Sequence, residues 1–297
     1  MTVVHFQDVS KKFGRTKALN NATFSIEENK ITGLIGRNGA GKTTILNIIS
    51  GFIQATSEEV KVFSEKPFNS LLVSANSILV DDKMSMPSLN LKGILIEAGR
   101  FYEKWDASLA QRLFEYFSFD ENQSHDTLSK GKKSTFNMII GLASRCPLTV
   151  FDEPTTGMDE AVRNDFYRAL LKDYLAHPRT ILLSSHHLNE MEDLLEEVLL
   201  IKDGETHLHM PIEDLKNYAI AFKGKAELVK ESTKDQSILY QKTHGPDQMY
   251  IVSKNTYSEE TLQRIKRSGM EISNVTPSEV CVYLTSSSKG GIDDVFS

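Results

Sequence analysis

"GLIGRNGAGKTTILN", residues 33–47, sets a short apolar run against a glycine-rich turn and then an amphipathic stretch. Gly36, Gly41, Lys42 and Thr43 stand at the spacing G-x-x-x-x-G-K-[ST]. That spacing between a strand and a helix marks a loop that cradles phosphates. The glycines let the backbone bend until several N–H groups point at one anion. A helix opening at Lys42 adds its positive end. The lysine has the reach for β- and γ-phosphates, and the Thr43 hydroxyl suits Mg²⁺. The stretch therefore predicts a nucleotide site at the edge of an α/β sheet.

The flanking sequence extends that sheet. "VVHFQDVS" and "ATFSIEENKITGLIG" read as strands, the second pair broken by a polar turn; "EVKVF", "NSILV", "PLTVFDE" and "TILLSS" add short, mostly buried runs. Helical patterns lie between them, in "KTTILNIISGF", in "DEAVRNDFYRALLKDYLAH" with Leu170 and Leu171 on its apolar side, and in "LNEMEDLLEE". Short apolar strands alternating with helices imply a parallel sheet covered on both faces. Residues 87–145 have mostly helical periodicity and read as a helical insertion. "EVLLIKDGETHLHM" is a strand pair around an Asp-Gly turn. Beyond about 220 the texture shifts to a hairpin, "LYQKTHGPDQMYIVS", a capped helix ending at Gly269, and a strand, "EISNV". "TPSEVCVYLTS" fits strand or helix, although its opening resembles a helix start. The last residues read as a frayed tail.

The chain has 297 residues, enough for one large domain and one small one. Its net charge of −6 argues against general affinity for nucleic acid or anionic lipid. No apolar run approaches the roughly 20 residues that span a bilayer, and the N-terminus does not read as a signal peptide. Two cysteines, Cys146 and Cys281, make no disulfide framework.

A phosphate site needs an acidic residue to hold its metal. "LTVFDEP" supplies Asp152 for Mg²⁺ and Glu153 to orient or deprotonate an attacking water. With these motifs in place, residues 1 to about 222 resemble the ATP-binding subunit of an ABC transporter. Phe13 matches the aromatic that stacks on adenine. "GRNGAGKTT" matches the Walker A loop, bringing Asn38, Gly39, Ala40 and Thr44 into the nucleotide-binding set. "TVFDEP" matches Walker B, "TTGMD" the D-loop ending in Asp159, and "SSHHLNE" the switch, with His186 as its histidine.

The "LSKGK" of residues 128–132 occupies the slot of the family's signature, as Leu128, Ser129, Lys130, Gly131 and Lys132. In that family two subunits dimerise head to tail, and one subunit's signature covers the ATP on the other's Walker A loop. Here Lys130 and Lys132 depart from the usual residues, and Lys132 is expected to add charge near the phosphates. Counting back from Pro87 puts Asp81 where the family has a glutamine, with Asp82 beside it. An aspartate there also suits Mg²⁺. The turn "TSEEVKVFSEKP" lacks the family's usual glycines, at Glu58 and Ser64.

The resemblance implies a P-loop NTPase core of ABC ATPase type over residues 1–222, with an antiparallel β subdomain and a helical subdomain, and a small α+β domain over 223–297. It implies ATP and Mg²⁺ as cofactors and a separate membrane-spanning permease as partner. The working pair would be a homodimer, or a heterodimer with a related ATPase. The chain would be cytoplasmic, held at the inner face of the membrane through the permease. The resemblance runs closest to Gram-positive exporters of the bacitracin-resistance, acetoin-utilisation-like and phenol-soluble-modulin groups, which move antimicrobial or amphipathic peptides or toxic compounds. Two other readings stay open: a weakly hydrolysing, regulatory subunit paired with a related cassette, and a soluble ABC ATPase outside transport.

Overall fold

The computed structural model describes residues 1–56, 59–245 and 247–286. Glu58 and the tail beyond residue 286 lie outside the described residues. The chain divides into two compact units, one of Met1–His186 with Asp193–His209, the other of His187–Glu192 with the chain from Met210 onward.

In the first unit β1 (Thr2–Phe13) and β2 (Thr16–Glu27) form a long antiparallel pair, with β3 (Ile31–Ile35) following. α1 (Lys42–Ile49) comes after the glycine loop, then β4 (Val60–Val62), α2 (Leu71–Asn76) and β5 (Ser77–Val80). The helical insertion holds α3 (Leu91–Phe101), α4 (Ala107–Tyr116) and α5 (Lys130–Ser144). Next come β6 (Leu148–Asp152), α6 (Glu160–Ala176), β7 (Thr180–Ser185), β8 (Glu197–Lys202) and β9 (Glu205–Pro211).

Two sheets result. β4 joins β1 and β2 in an antiparallel sheet of three strands. The larger sheet runs β5-β6-β7-β3-β8-β9, with β5 to β8 parallel. β3, β6 and β7 are buried along their whole length, as expected of short, mostly apolar strands covered on both faces. Because these strands are parallel, their C-terminal ends share one edge, and the loops after β3, β5, β6 and β7 converge there.

Side-chain oxygens cap the inserted helices. Asn90 accepts from the Gly93 N–H at 2.8 Å and Asp106 from the Leu109 N–H at 2.8 Å. At the far end of α5, Arg145 in the left-handed region (φ 46°) pairs with Asp106 and Asp173, and Arg179 pairs with Asp173 from β7's approach. The C-terminal end of α5 is thereby fixed to α6.

"LNEMEDLLEE" is a correction: it forms two 3₁₀ turns, Leu188–Glu190 and Glu192–Leu194, not an α-helix. Glu196 accepts the Ile31 N–H at 2.9 Å, and Glu197 binds Lys30 at 3.0 Å. Those contacts commit the chain to β8 too early for an α-helix to develop.

The second unit continues with α7 (Ile212–Lys216), β10 (Ala219–Lys225), α8 (Ala226–Ser232), β11 (Ile238–His244), β12 (Gln248–Lys254), α9 (Glu259–Arg267), β13 (Glu271–Asn274) and α10 (Pro277–Thr285). Its continuous part starts at Met210, so β10, which straddles residue 222, lies within it. The antiparallel order β11-β12-β10-β13, with α8 after β10 and α9 after β12, is the split β-α-β topology of ferredoxin-like domains. Phe222, Ile251, Val229 and Ile265 meet in its core. On the opposite face, Tyr283 of α10 stacks on Tyr240 at 4.7 Å. The ambiguous "TPSEVCVYLTS" is helix, started by a full capping box between Thr276 and Glu279.

Candidate functional site: a nucleotide pocket and a separate signature cavity

The glycine loop leaves β3 with no room to spare. A Cβ on Gly36 would come within 2.6 Å of the Ile201 carbonyl oxygen. Gly41 has φ 107°, and a Cβ there would stand 2.8 Å from the Ala18 carbonyl oxygen. Glycine is therefore required at both. Ala40 is pinned by backbone bonds, donating to Arg37 at 3.0 Å and accepting from Gly204 at 3.0 Å. Asn38 and Gly39 are exposed at the tip, while Thr43 and Thr44 open α1.

Lys42 is buried, and its ammonium donates to the Gly36 carbonyl at 2.7 Å. It also stands 3.4 Å from Glu153 Oε1, an oxygen with no hydrogen bond of its own. The Thr43 hydroxyl donates to Asp152 Oδ2 at 2.7 Å. Asp152 accepts a second bond from Ser184, whose oxygen takes the Glu153 N–H at 3.0 Å. Ser184 thus fixes both acids of "FDE" from the neighbouring strand.

Glu153 sits at φ 48°, an uncommon backbone for a non-glycine residue and a cost of order 1–3 kcal/mol that surrounding contacts offset. His186 Nδ1 lies 2.9 Å from Glu153 Oε2. With the carboxylate ionised, Nδ1 carries the proton, and Nε2 is the acceptor of the neutral ring.

A cavity of about 270 Å³ is lined by Thr43, Asp81, Asp82, Asp152, Glu153 and His186, among others. Asp81 is half-buried there and accepts the Lys83 N–H at 3.0 Å. Burial raises its carboxyl above the ordinary value, and the nearby Asp152 and Asp82 charges add to that. Among the described residues no group of three or more His, Cys, Asp or Glu is arranged to hold a metal unaided. Mg²⁺ does not require one, because it keeps water and phosphate ligands beside one or two protein oxygens. The hard oxygens of Thr43 and Asp152, held 2.7 Å apart, fit that donor set.

The signature residues lie elsewhere. Ser129 is the N-cap of α5 and accepts the Lys132 N–H at 3.4 Å. Leu128 is buried behind it. Ser129, Gly131 and Lys132 line a second cavity of about 680 Å³, together with Met158, Asp159 and Tyr116. Asp159 caps α6, accepting the Val162 N–H at 2.9 Å. The Lys132 ammonium donates to the Phe117 carbonyl at 2.6 Å and sits 4.8 Å from the Phe119 ring centroid. Its charge is therefore held within its own helical insertion. Lys130 instead reaches Asp82, at 3.9 Å.

Phe13 ends β1 and is half exposed, with the Lys11 ammonium 5.0 Å from its ring centroid. It does not line the acidic cavity. Sequence reasoning gave Ser184 no role, although it opens the "SSHHLNE" match and lies in a buried strand. Within "TTGMD" the sequence singles out only Asp159, whereas Thr156, whose carbonyl accepts from Ser134 of α5 at 2.9 Å, and Gly157, which abuts Gly131, make the contact with α5.

A glycine loop with a buried lysine, a threonine–aspartate pair and a glutamate–histidine pair define a P-loop nucleotide hydrolase. Residues 19–156 match the family model described as ABC transporter. The chain is 26% identical over 221 residues to the ABC transporter ATP-binding protein YtrB of Bacillus subtilis, covering 72% of this chain and 74% of that protein. It is 27% identical over 237 residues to the bacitracin transport ATP-binding protein BcrA of Bacillus licheniformis, covering 72% of each. A solved structure described as the ATP-binding subunit of an ABC transporter shares the fold at TM-score 0.65, with 21% identity over 72% of this chain and 92% of that one. Residues 19–156 thus mark an ABC transporter ATP-binding domain, a kind of domain that hydrolyses ATP to power transport.

Proposed function

We propose that this chain is the ATPase of an exporter for antimicrobial or amphipathic peptides or toxic compounds, working head to tail with a second ATPase subunit. The observation that carries the reading is Glu153. Its carboxylate lies between Lys42 at 3.4 Å and His186 at 2.9 Å, and no signature residue lines the same cavity. An assembled hydrolytic half whose covering half faces elsewhere favours a site completed by a second subunit. The bacitracin transport and Nod factor export proteins among its relatives favour export.

In this account the Walker A N–H groups and Lys42 bind the phosphates. Thr43 and Asp152, with Asp81 lining the same cavity, would hold Mg²⁺, which when bound would supply charge neutralisation at the phosphate oxygens. Glu153 orients and deprotonates water, and His186 holds the glutamate and the γ-phosphate in register. The partner's Ser129 and Gly131 N–H groups, at the start of α5, cover that phosphate. Among the described residues no helix is long and apolar enough to cross a membrane. The stroke would therefore pass to a separate permease at the inner face of the membrane.

The test is ATP turnover at rising protein concentration, with light scattering on the same samples and Glu153→Gln beside the wild type. Turnover rising more than linearly, with a stable ATP-bound dimer of Glu153→Gln, is expected. A monomer at every concentration with no turnover would reject a self-sufficient pair.

A further inference from the structure

Two contacts join the acidic loop after β5 to α5, and a third joins α5 to the turn that precedes it. Asn137 Nδ2 donates to the Asp81 carbonyl oxygen at 3.1 Å. Asn137 Oδ1 lies 2.9 Å from His125 Nε2. Lys130 reaches Asp82 at 3.9 Å. Lys130 and Asn137 stand seven residues apart on α5, two turns along one face, so the helix meets the loop twice.

The protonation of the buried pair follows from its ends. The Asp81 carbonyl only accepts, so the amide nitrogen of Asn137 must face it. Asn137 Oδ1 then faces His125, and Nε2 must carry the hydrogen. That bond survives whether the ring is neutral or protonated, so the link itself is indifferent to pH. Asn137 is 2% and His125 6% exposed. A broken bond there leaves a buried polar group unsatisfied, so the contact resists slippage.

His125 opens the 3₁₀ turn His125–Thr127, and its carbonyl accepts the Leu128 N–H at 3.1 Å. Leu128 leads directly into Ser129, the cap of α5. An unbroken chain therefore runs from the main chain of Asp81, through Asn137 and His125, to the signature serine. Its first member lies in the loop that lines the nucleotide cavity. Its last lines the separate cavity beside Asp159.

We infer that Asn137 and His125 are positioning residues that tie the placement of the signature to occupancy of the chain's own nucleotide site. The inference rests on the proposed function, because the signature of one subunit then serves the nucleotide of the other. Nucleotide that engages the Asp81 loop shifts its carbonyl, and the buried amide and imidazole carry that shift to Leu128 and Ser129. Each site thus adjusts the cover it offers to its partner's site.

The experiment is hydrogen exchange with Mg-ADP, which lacks the γ-phosphate a partner's signature would grip, at a dilution where light scattering shows monomer. Wild type is compared with His125→Gln, whose amide nitrogen replaces the Nε2 donor, and with His125→Phe and Asn137→Leu, which cannot make the link. The peptide covering 36–44 reports nucleotide binding, and the peptide covering 124–133 reports the signature. Protection at 36–44 is expected in all four proteins. A change of roughly threefold or more at 124–133 is expected in wild type and His125→Gln only. The same response in all four, or none in wild type despite protection at 36–44, overturns the inference. No protection at 36–44 in wild type rejects the nucleotide site itself.

Discussion

Gly131 of the signature and Gly157 of the D-loop touch backbone to backbone: a Cβ on Gly131 would stand 2.3 Å from the Gly157 carbonyl oxygen. Gly157 itself has φ 80°. The segment that would cover a partner's phosphate is thus seated on the turn that follows the chain's own glutamate. Ser134 reinforces the seat by donating to the Thr156 carbonyl at 2.9 Å. Gly131→Ala must push the two turns apart. It is expected to cost about 1–3 kcal/mol of stability and to lower turnover on the order of a hundredfold through misplacement. Thermal unfolding and steady-state ATPase assays on one preparation check both.

Glu153→Gln keeps the shape of the site and removes the base. Turnover should fall by about 10²- to 10⁴-fold, while nucleotide affinity stays within a few-fold of wild type. His186→Ala leaves the base in place and removes its 2.9 Å partner, so it should lower kcat more than it changes KM. Single-turnover kinetics with fluorescent ATP separate the two effects. Equal loss of binding in both variants would mean that the pair serves affinity rather than hydrolysis.

Ser184 holds both acids from β7. Ser184→Ala leaves the Glu153 N–H without its acceptor and takes one donor from Asp152. Stability should fall by about 1–3 kcal/mol. Turnover should fall with it, because a glutamate at φ 48° depends on such contacts to keep its geometry. Urea unfolding and ATPase assays of Ser184→Ala and Ser184→Thr test this, with threonine restoring part of both.

Glu197 predicts a pH dependence of folding. Burial pushes its carboxyl up, but the His209 imidazole at 3.5 Å, Lys30 at 3.0 Å and Thr32 at 2.8 Å outweigh that and hold it down at about 2, below the ordinary 4.5. A depressed carboxyl stabilises the fold fully above its unfolded value and loses that contribution as pH falls through the folded one. The loss, on the order of 3 kcal/mol at most, should therefore develop between about pH 4.5 and 2. Glu197→Gln should be less stable at neutral pH and show a flatter acid limb. Parallel unfolding curves for the two proteins across that range would refute the assignment.

What the sequence disclosed was local. The phosphate loop, Asp152 and Glu153 each sit where a short buried strand ends, so a few neighbouring residues reveal them. The capping signal of Thr276 and Glu279 pointed to a helix that periodicity alone left undecided. "LNEMEDLLEE" misled because helical spacing cannot register that Glu196 and Glu197 are engaged by Ile31 and Lys30, more than 160 residues earlier. The contacts of Lys132 were equally illegible in the sequence: Phe117 and Phe119, 13 to 15 residues earlier, engage its ammonium. Asn137 and His125 gave no signal, since their meaning depends on the Asp81 carbonyl 56 residues before Asn137.

Mixing two inactive proteins tests the central claim, a site shared between subunits, most directly. Lys42→Ala disables the phosphate loop and leaves the signature intact, while Ser129→Arg does the reverse. Each alone should turn over little ATP. In a heterodimer of the two, the loop of Ser129→Arg meets the signature of Lys42→Ala and forms one complete site. The account predicts that ATPase activity reappears on mixing and follows the heterodimer fraction. A mixture no more active than its two components, with heterodimer formation shown by light scattering and affinity-tag capture, would contradict it.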